Sequence, residues 1–464
     1  MGSYILADGW VVTMNPAREV LEEASILIEG DRISAIGTRG QLVASHPEAE
    51  VLDCRNAIII PGMVNTHTHL FQTLLKGLGD DMVLKKWFTC MTGPSAVELT
   101  EEDVSAAAMH GCVESLRSGV TSLVDFMYAH PRPGLTAKVV EAFEITGIRG
   151  YVCRGFLTTG AEHGIPSELI ETPEAALADA RRLIKFYNRP DARVKVGIAP
   201  SMIWALDEKV LRGTRELANE TGALITTHIA ETDFEIAQSQ LRFQSTDTEF
   251  LSDIGFLGPD VLAVHCVQCA SRDIRALKHH DVRVSHNPCS NMYLASGVAP
   301  IPEMLAAGIT VGLGSDGPAS SNNHSLFQAM KMAALLQKGV HRDPTIMTAE
   351  KVLEMATIDG ARAIGLDHLI GSIEVGKKAD IAIVGTDHPA MTPVHHPVSS
   401  LVYSALGHEV TDVFIDGEPV LRNGKLTRVN EREVLLRSQQ AANSLAERAG
   451  SDRFKRRPWR ASSF

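Results

Sequence analysis

Two histidines one residue apart, in Asn65-Thr66-His67-Thr68-His69, carry the strongest chemical signal in the chain. In an extended segment, side chains two apart point the same way, so His67 and His69 can chelate one ion from one face. They follow the apolar run AIIIPGMV, and further candidates also end β-rich segments: His228 in TTHIAE, His265 in LAVHC and Asp316 in GLGSD. Buried imidazoles and carboxylates are costly unless paired or ligated. A catalytic metal site needs protein ligands plus an open position. His67, His69, His228 and Asp316 supply three nitrogens and one oxygen, a set that suits zinc and also admits iron or manganese. We expect one divalent ion per chain. His265 is placed within reach of the activated water and off the metal. Glu231, three residues past His228, is the expected proton shuttle, because a carboxylate over the mouth can take a proton from water and pass it on.

Such residues need strand ends that share one mouth. Short β-rich cores recur at Ala57–Val64, Val120–Phe126, Gly147–Arg154, Val194–Pro200, Ala223–Ala230, Val261–Cys266, Val282–Asn287 and Thr310–Asp316. Amphipathic stretches of helical length lie between them, including Glu101–Ser118, Pro173–Phe186 and Ser271–His280. Eight strands alternating with helices predict an α/β protein, a (β/α)8 TIM barrel over 57–370 with its site at the C-terminal mouth. A doubly wound open sheet is the alternative. The two ends of the chain read as antiparallel strands, each too short to stand alone. Pairing residues 1–56 with 371–426 gives a small β-sandwich domain, and 427–464 reads as a closing helix (Asn430–Ala449) and tail.

Composition excludes several other classes. The 464 residues are 44% apolar and 22% charged, which rules out a disordered or disulfide-scaffold chain. The net charge of -12 steers neutral or cationic partners. The one dense basic stretch, Arg453 to Arg460, reads as a solvated terminus, so no nucleic-acid partner is expected. The longest charge-free stretch, Asn56 to Leu75, carries Pro61, Gly62, Asn65 and Gln72, which a lipid-facing helix would not tolerate cheaply; no membrane span is expected. The opening MGSYILADGW lacks a secretory pattern, and an odd seven cysteines point to reduced thiols, hence the cytoplasm. Cys266 and Cys269 lack the second pair a zinc ribbon needs. Gly312 to Gly317 matches G-x-G-x-x-G, but Asp316 would oppose a pyrophosphate, and no G-x-S-x-G turn occurs.

Taken together, PGMVNTHTH, HIAET, VLAVHC, SHNPCSNMYLASGVAP and GLGSDGPASSNN resemble the amidohydrolase superfamily, as does KVLEMATIDGARAIGLDHLIGSIEVGKKADI on the way back to the small domain. The resemblance covers nearly the whole chain. It is nearest to the branch with atrazine chlorohydrolase, melamine deaminase, and the adenosylhomocysteine-, guanine- and pterin-type deaminases. It implies the roles given above for His67, His69, His228, Glu231, His265 and Asp316. Binuclear members carry a carboxylated lysine at the end of the fourth strand; here Lys195 lies near that strand's start, which implies one metal. Adenosylhomocysteine-type members carry a glutamate in a W-P-x-E-like stretch with which Glu98 does not align, and this counts against a nucleoside substrate. Gly317, where triazine enzymes carry a polar residue, counts against a triazine.

The expected reaction is hydrolytic deamination of an amino-substituted N-heteroaromatic ring. Loss of chloride or an alkylamine from such a ring is the alternative, and a non-catalytic scaffold the second. Ammonia leaves an aromatic ring only if protonated, and Glu231, Asp316 and His265 supply that proton capacity, which favours ammonia over chloride. Gln72, Trp87 and Asn291 are the expected substrate contacts, since amide and indole groups suit a flat hydrogen-bonding heterocycle. Arg154, Trp204 and Tyr293 are weaker candidates. We expect a homo-oligomer.

Overall fold

The computed structural model describes residues 2–456, so positions 457–460 of the basic tail lie outside the described residues. Eight parallel strands form one sheet in chain order: Met63–Thr68, Val120–Met127, Arg149–Phe156, Val194–Pro200, Ile225–Ile229, Val261–His265, Arg283–His286 and Val311–Leu313. Every residue of the first, second, fifth and sixth is buried, as strands covered on both faces require. The sheet curls until its outer strands meet. Ser315 N–H donates to Asn65 Oδ1 at 3.1 Å and Asp316 N–H to the His67 carbonyl at 3.0 Å. These bonds carry the eighth strand's end to the first and bring Asp316 beside His67.

Helices fall where sequence patterning puts them. Glu101–Arg117 starts at a Thr100–Asp103 capping box, and Pro173–Tyr187 at Thr172, whose hydroxyl accepts the Ala175 N–H. The closing helix, Glu431–Arg448, is capped by Asn430 and packs on Glu101–Arg117.

Both chain ends build the second sheet. Eight of its nine strands make one hydrogen-bonded path from Lys425–Leu426 through Ile381–Gly385, Ala57–Pro61 and Ser3–Val12 to Arg32–Gly37, and the ninth, Glu50–Asp53, pairs with Ser3–Val12. The long strand Ser3–Val12 pairs with Glu50–Asp53 by its first half and with Ala57–Pro61 by its second, and shifts register twice against Val20–Glu29. A separate core of Leu6, Val11, Ile26, Ile59, Ile381 and Phe414 packs against this sheet.

One boundary differs from expectation. Ala57–Val64, expected as a single barrel strand, is two strands. Ala57–Pro61 pairs antiparallel with Ile381–Gly385 in the small sheet, and the barrel begins at Met63. Gly62 between them is required by close approach, because a Cβ there would stand 2.2 Å from the Thr121 side chain. Residues 57–61 therefore belong with the small sheet. Among the described residues no helix is long and apolar enough to cross a membrane.

Candidate active site

Four imidazoles and two carboxylates converge at the C-terminal mouth. His67 and His69 share a face, their rings 4.7 Å apart, and His228 stands 5.1 Å from His67 and 5.4 Å from His69. Nε2 of both His67 and His69 lies 3.3 Å from Asp316 Oδ1. Strand ends make this convergence at a conformational cost. Ala230, His265, Cys266 and Asp316 all take positive φ, of 52°, 72°, 51° and 60°. Non-glycine residues adopt that region under constraint, and such strain gathers at functional sites.

Hydrogen bonds decide which nitrogens face inward. His69 Nδ1 donates to the Phe126 carbonyl and His228 Nδ1 to the Ser201 carbonyl, both at 2.7 Å. Each leaves its Nε2 as a lone pair, the arrangement in which histidines serve as metal ligands. Neither ring nitrogen of His67 makes a hydrogen bond, although the side chain is wholly buried. Burial drives all three rings toward the neutral form, His69 down to about 3 with help from its neighbour His67. Burial pushes the Asp316 carboxyl up, but the surrounding His67, His265 and His69 rings outweigh it and hold the carboxyl well below its usual range. Neutral imidazoles beside an ionised carboxylate, with buried imidazole nitrogen that makes no hydrogen bond, are a donor set suited to a cation. The residues fit a divalent ion.

Glu231 and His265 stand beside that set. His265 Nδ1 donates to Asn291 Oδ1 at 2.8 Å, which turns its Nε2 toward Glu231 Oε2 at 3.5 Å and Asp316 Oδ2 at 3.8 Å. Glu231 is buried, its Oε1 accepts from Ser296 Oγ at 3.1 Å, and its backbone N–H donates to Glu235 Oε2 at 2.6 Å. Burial and then the Asp316 charge raise the Glu231 carboxyl, despite Ser296. A carboxyl raised in this way both takes and returns protons near neutrality.

The amidohydrolase family profile matches residues 58–420. The chain belongs to the amidohydrolase family. It is 36% identical over 452 residues to a 5'-deoxyadenosine deaminase of Methanosarcina acetivorans, which covers 97% of this chain and 100% of the relative. It is 38% identical over 425 residues to a 5-methylthioadenosine/S-adenosylhomocysteine deaminase of Thermococcus onnurineus, covering 91% of this chain and 95% of that one. Among solved structures, a zinc-bound adenosine deaminase from Xanthomonas campestris superposes with a TM-score of 0.90 at 28% identity, over 96% of this chain and 99% of that one. Zinc-complexed atrazine chlorohydrolase from Arthrobacter aurescens gives 0.88 at 24% identity, over 95% and 100%, and shares the fold.

In this amidohydrolase a cavity of about 40 Å3 opens over the mouth, lined by His69, His228, Glu231, His265 and Asp316 together with residues of the loops. Gln72 and Trp87 line it. Gln72 donates to Tyr128 Oη at 3.3 Å, and its Oε1 is buried without a hydrogen bond. Gly317 makes room for that amide: a Cβ there would fall 1.9 Å from Gln72 Oε1. The Trp87 indole N–H is spent on the Ala319 carbonyl at 3.0 Å, so this ring offers the cavity its apolar surface.

Asn291, an expected substrate contact, does not line the cavity, and its side-chain oxygen accepts from His265 Nδ1. Arg154 is tied to Glu171 and Asp179, Tyr293 donates to Asp80, and Trp204 lines an adjoining apolar cavity. Sequence reasoning passed over Tyr128 and Ser201, which also line the site. Tyr128 lies two residues past Phe126, a period-2 signal that places it on the mouth side of the second strand's end. It also passed over His286, buried at the end of the seventh strand with neither ring nitrogen hydrogen-bonded.

Proposed function

We propose that the chain hydrolytically deaminates an amino-substituted N-heteroaromatic ring of purine type, with release of ammonia. The observation that carries this reading is the pair of buried carboxylates, Glu231 and Asp316, flanking Nε2 of His265 in one cavity. His67, His69, His228 and Asp316 hold one divalent ion, zinc by the character of the donor set. When bound, that ion supplies a Lewis acid that lowers the pKa of water from about 15.7 toward 7.

The protein's own groups do the rest. Glu231 takes a proton from the attacking water through Oε2, the oxygen that faces His265, and delivers it to a ring nitrogen as the water oxygen bonds to the amine-bearing carbon. His265, its tautomer fixed by Asn291, stabilises the charge that develops on the added oxygen. Asp316 Oδ2 takes the second proton from that oxygen, and the departing amine receives it as the C–N bond breaks. Gln72 and the faces of Trp87 and Tyr128 hold the ring flat over the mouth.

The full-length relatives named for 5'-deoxyadenosine and 5-methylthioadenosine support a purine ring. They also answer the departure at Glu98, which caps the short helix Gly93–Val97 and does not line the cavity. The test is ammonia release from a panel of adenine nucleosides, aminopterins and aminotriazines, each beside its chloro analogue. Amino compounds of at least one scaffold should show the higher kcat/KM. A clear preference for the chloro analogue on a well-bound scaffold overturns the reading.

A further inference from the structure

A second cluster of metal-binding residues lies on the small domain, outside the barrel. Strands Ile381–Gly385 and Val410–Ile415 are antiparallel neighbours, and the chain bordering their shared end carries His388 on one side and His408-Glu409 on the other. Ligand atoms of these residues lie within 4.8 Å of one another.

Glu409 makes the cluster more than a chance meeting of surface side chains. Its Oε2 accepts the N–H groups of Leu406 at 3.0 Å and Gly407 at 2.8 Å, which fixes the carboxylate in place. Its Oε1 is buried and accepts no hydrogen bond. The Glu409 side chain is 0% exposed, whereas His388 and His408 are 40% and 54% exposed. An ionised oxygen removed from water without a hydrogen bond is costly unless something cationic completes it. That oxygen faces His408 Nε2 at 3.3 Å and His388 Nδ1 at 3.7 Å. Ala390 N–H donates to His388 Nδ1 at 3.2 Å, so a metal at this nitrogen takes the place of that hydrogen bond. Tetrahedral zinc with bonds of about 2.0–2.1 Å sets its ligand atoms about 3.3–3.4 Å apart. Glu409 Oε1 and His408 Nε2 already stand at that spacing, and His388 Nδ1 must move inward to join them.

We propose that His388, His408 and Glu409 form a second divalent-metal site, of zinc-binding character, that clips the loop after Ile381–Gly385 to the start of Val410–Ile415. Two imidazoles and one carboxylate leave a fourth position for water. The site is independent of the barrel mouth and of the reaction there.

Full-length protein stripped by a chelator and dialysed against zinc chloride tests this by the zinc bound per chain. The His388→Ala/His408→Ala double variant should bind one equivalent fewer than wild type: one against two with the mouth loaded, none against one if the mouth takes no zinc. Its deaminase turnover should stay within about twofold of wild type. His388 is half-buried and His408 exposed, and His408→Asn serves in the same comparison should the double variant fold poorly. Equal zinc counts in wild type and variant overturn the proposal and leave a histidine–carboxylate ion pair alone.

Discussion

Two buried clusters of charge occupy opposite ends of the barrel and follow opposite plans. At the starts of the strands, Arg149 Nε donates to Asp380 Oδ2 at 2.7 Å, and its Nη2 bonds both Asp380 and Asp416. Arg193 Nε donates to Asp416 Oδ2 at 2.8 Å, Lys378 stands 3.5 Å from Asp416, and the Asp416 N–H donates to Asp380 Oδ1 at 2.9 Å. Fixed cations answer the carboxylates there, and the cluster locks the small sheet to the barrel. At the mouth, the imidazoles are driven neutral and His67 has no hydrogen bond. The junction answers its buried carboxylates with side chains of the protein, whereas the mouth leaves both ring nitrogens of His67 without a hydrogen bond.

If that contrast is right, substitutions at the two ends fail in different ways. The largest effect is expected from Glu231→Gln, which should retain the metal and the fold but lower turnover by about 10²–10⁴-fold, the range for loss of a general acid–base. Loss of metal in that variant would place Glu231 among the ligands. Next comes Arg149→Ala, which leaves Asp380 and Asp416 short of a cation inside the protein. Breaking such a pair costs about 3–5 kcal/mol, read as a lower urea midpoint with the slope unchanged. Metal content per folded chain should stay at the wild-type value, and a drop would show that the two ends are coupled.

The smallest effect lies in pH dependence, and its sign differs between the clusters. Burial pushes the Asp416 carboxyl up, but Arg149, Arg193 and Lys378 outweigh burial and hold it below the ordinary 3.8. Its contribution is complete above 3.8 and lost as pH falls through the folded value. Glu231 in metal-free protein is raised above 4.5, by burial first and the Asp316 charge second. There the folded state keeps the proton longer, so stability is greatest below 4.5 and declines with rising pH until the folded value is passed. In thermal melts of stripped protein, Asp416→Asn should flatten the acid limb and Glu231→Gln the decline above 4.5. The same limb flattened by both variants would contradict the division.

The mouth was more legible in the sequence than the junction. His67, His69, His228, His265 and Asp316 each end an apolar run, so residue type and local pattern were enough to bring them together. Arg149, Asp380 and Asp416 lie 231 and 267 positions apart and leave no local pattern to read. Ala57–Val64 misled for a related reason: AIIIPGMV is one continuous apolar run, and two strands buried in different sheets look like one until the contact between Gly62 and Thr121 is known. Asn291 shows the limit for amides. Its polarity was visible, but whether it meets a substrate or a neighbouring imidazole depends on a partner 26 residues away.

The central claim is that the unpaired nitrogens of the mouth exist to hold one divalent ion on which activity depends. The most direct test is metal content and ammonia turnover measured on the same preparation of His67→Ala, with His388 and His408 replaced by Ala in both this protein and its control so that any surface ion is removed. The control should carry one ion per chain and release ammonia. The His67→Ala protein should stay folded and lose metal and turnover together. A His67→Ala protein that remains loaded with metal and active would contradict the account.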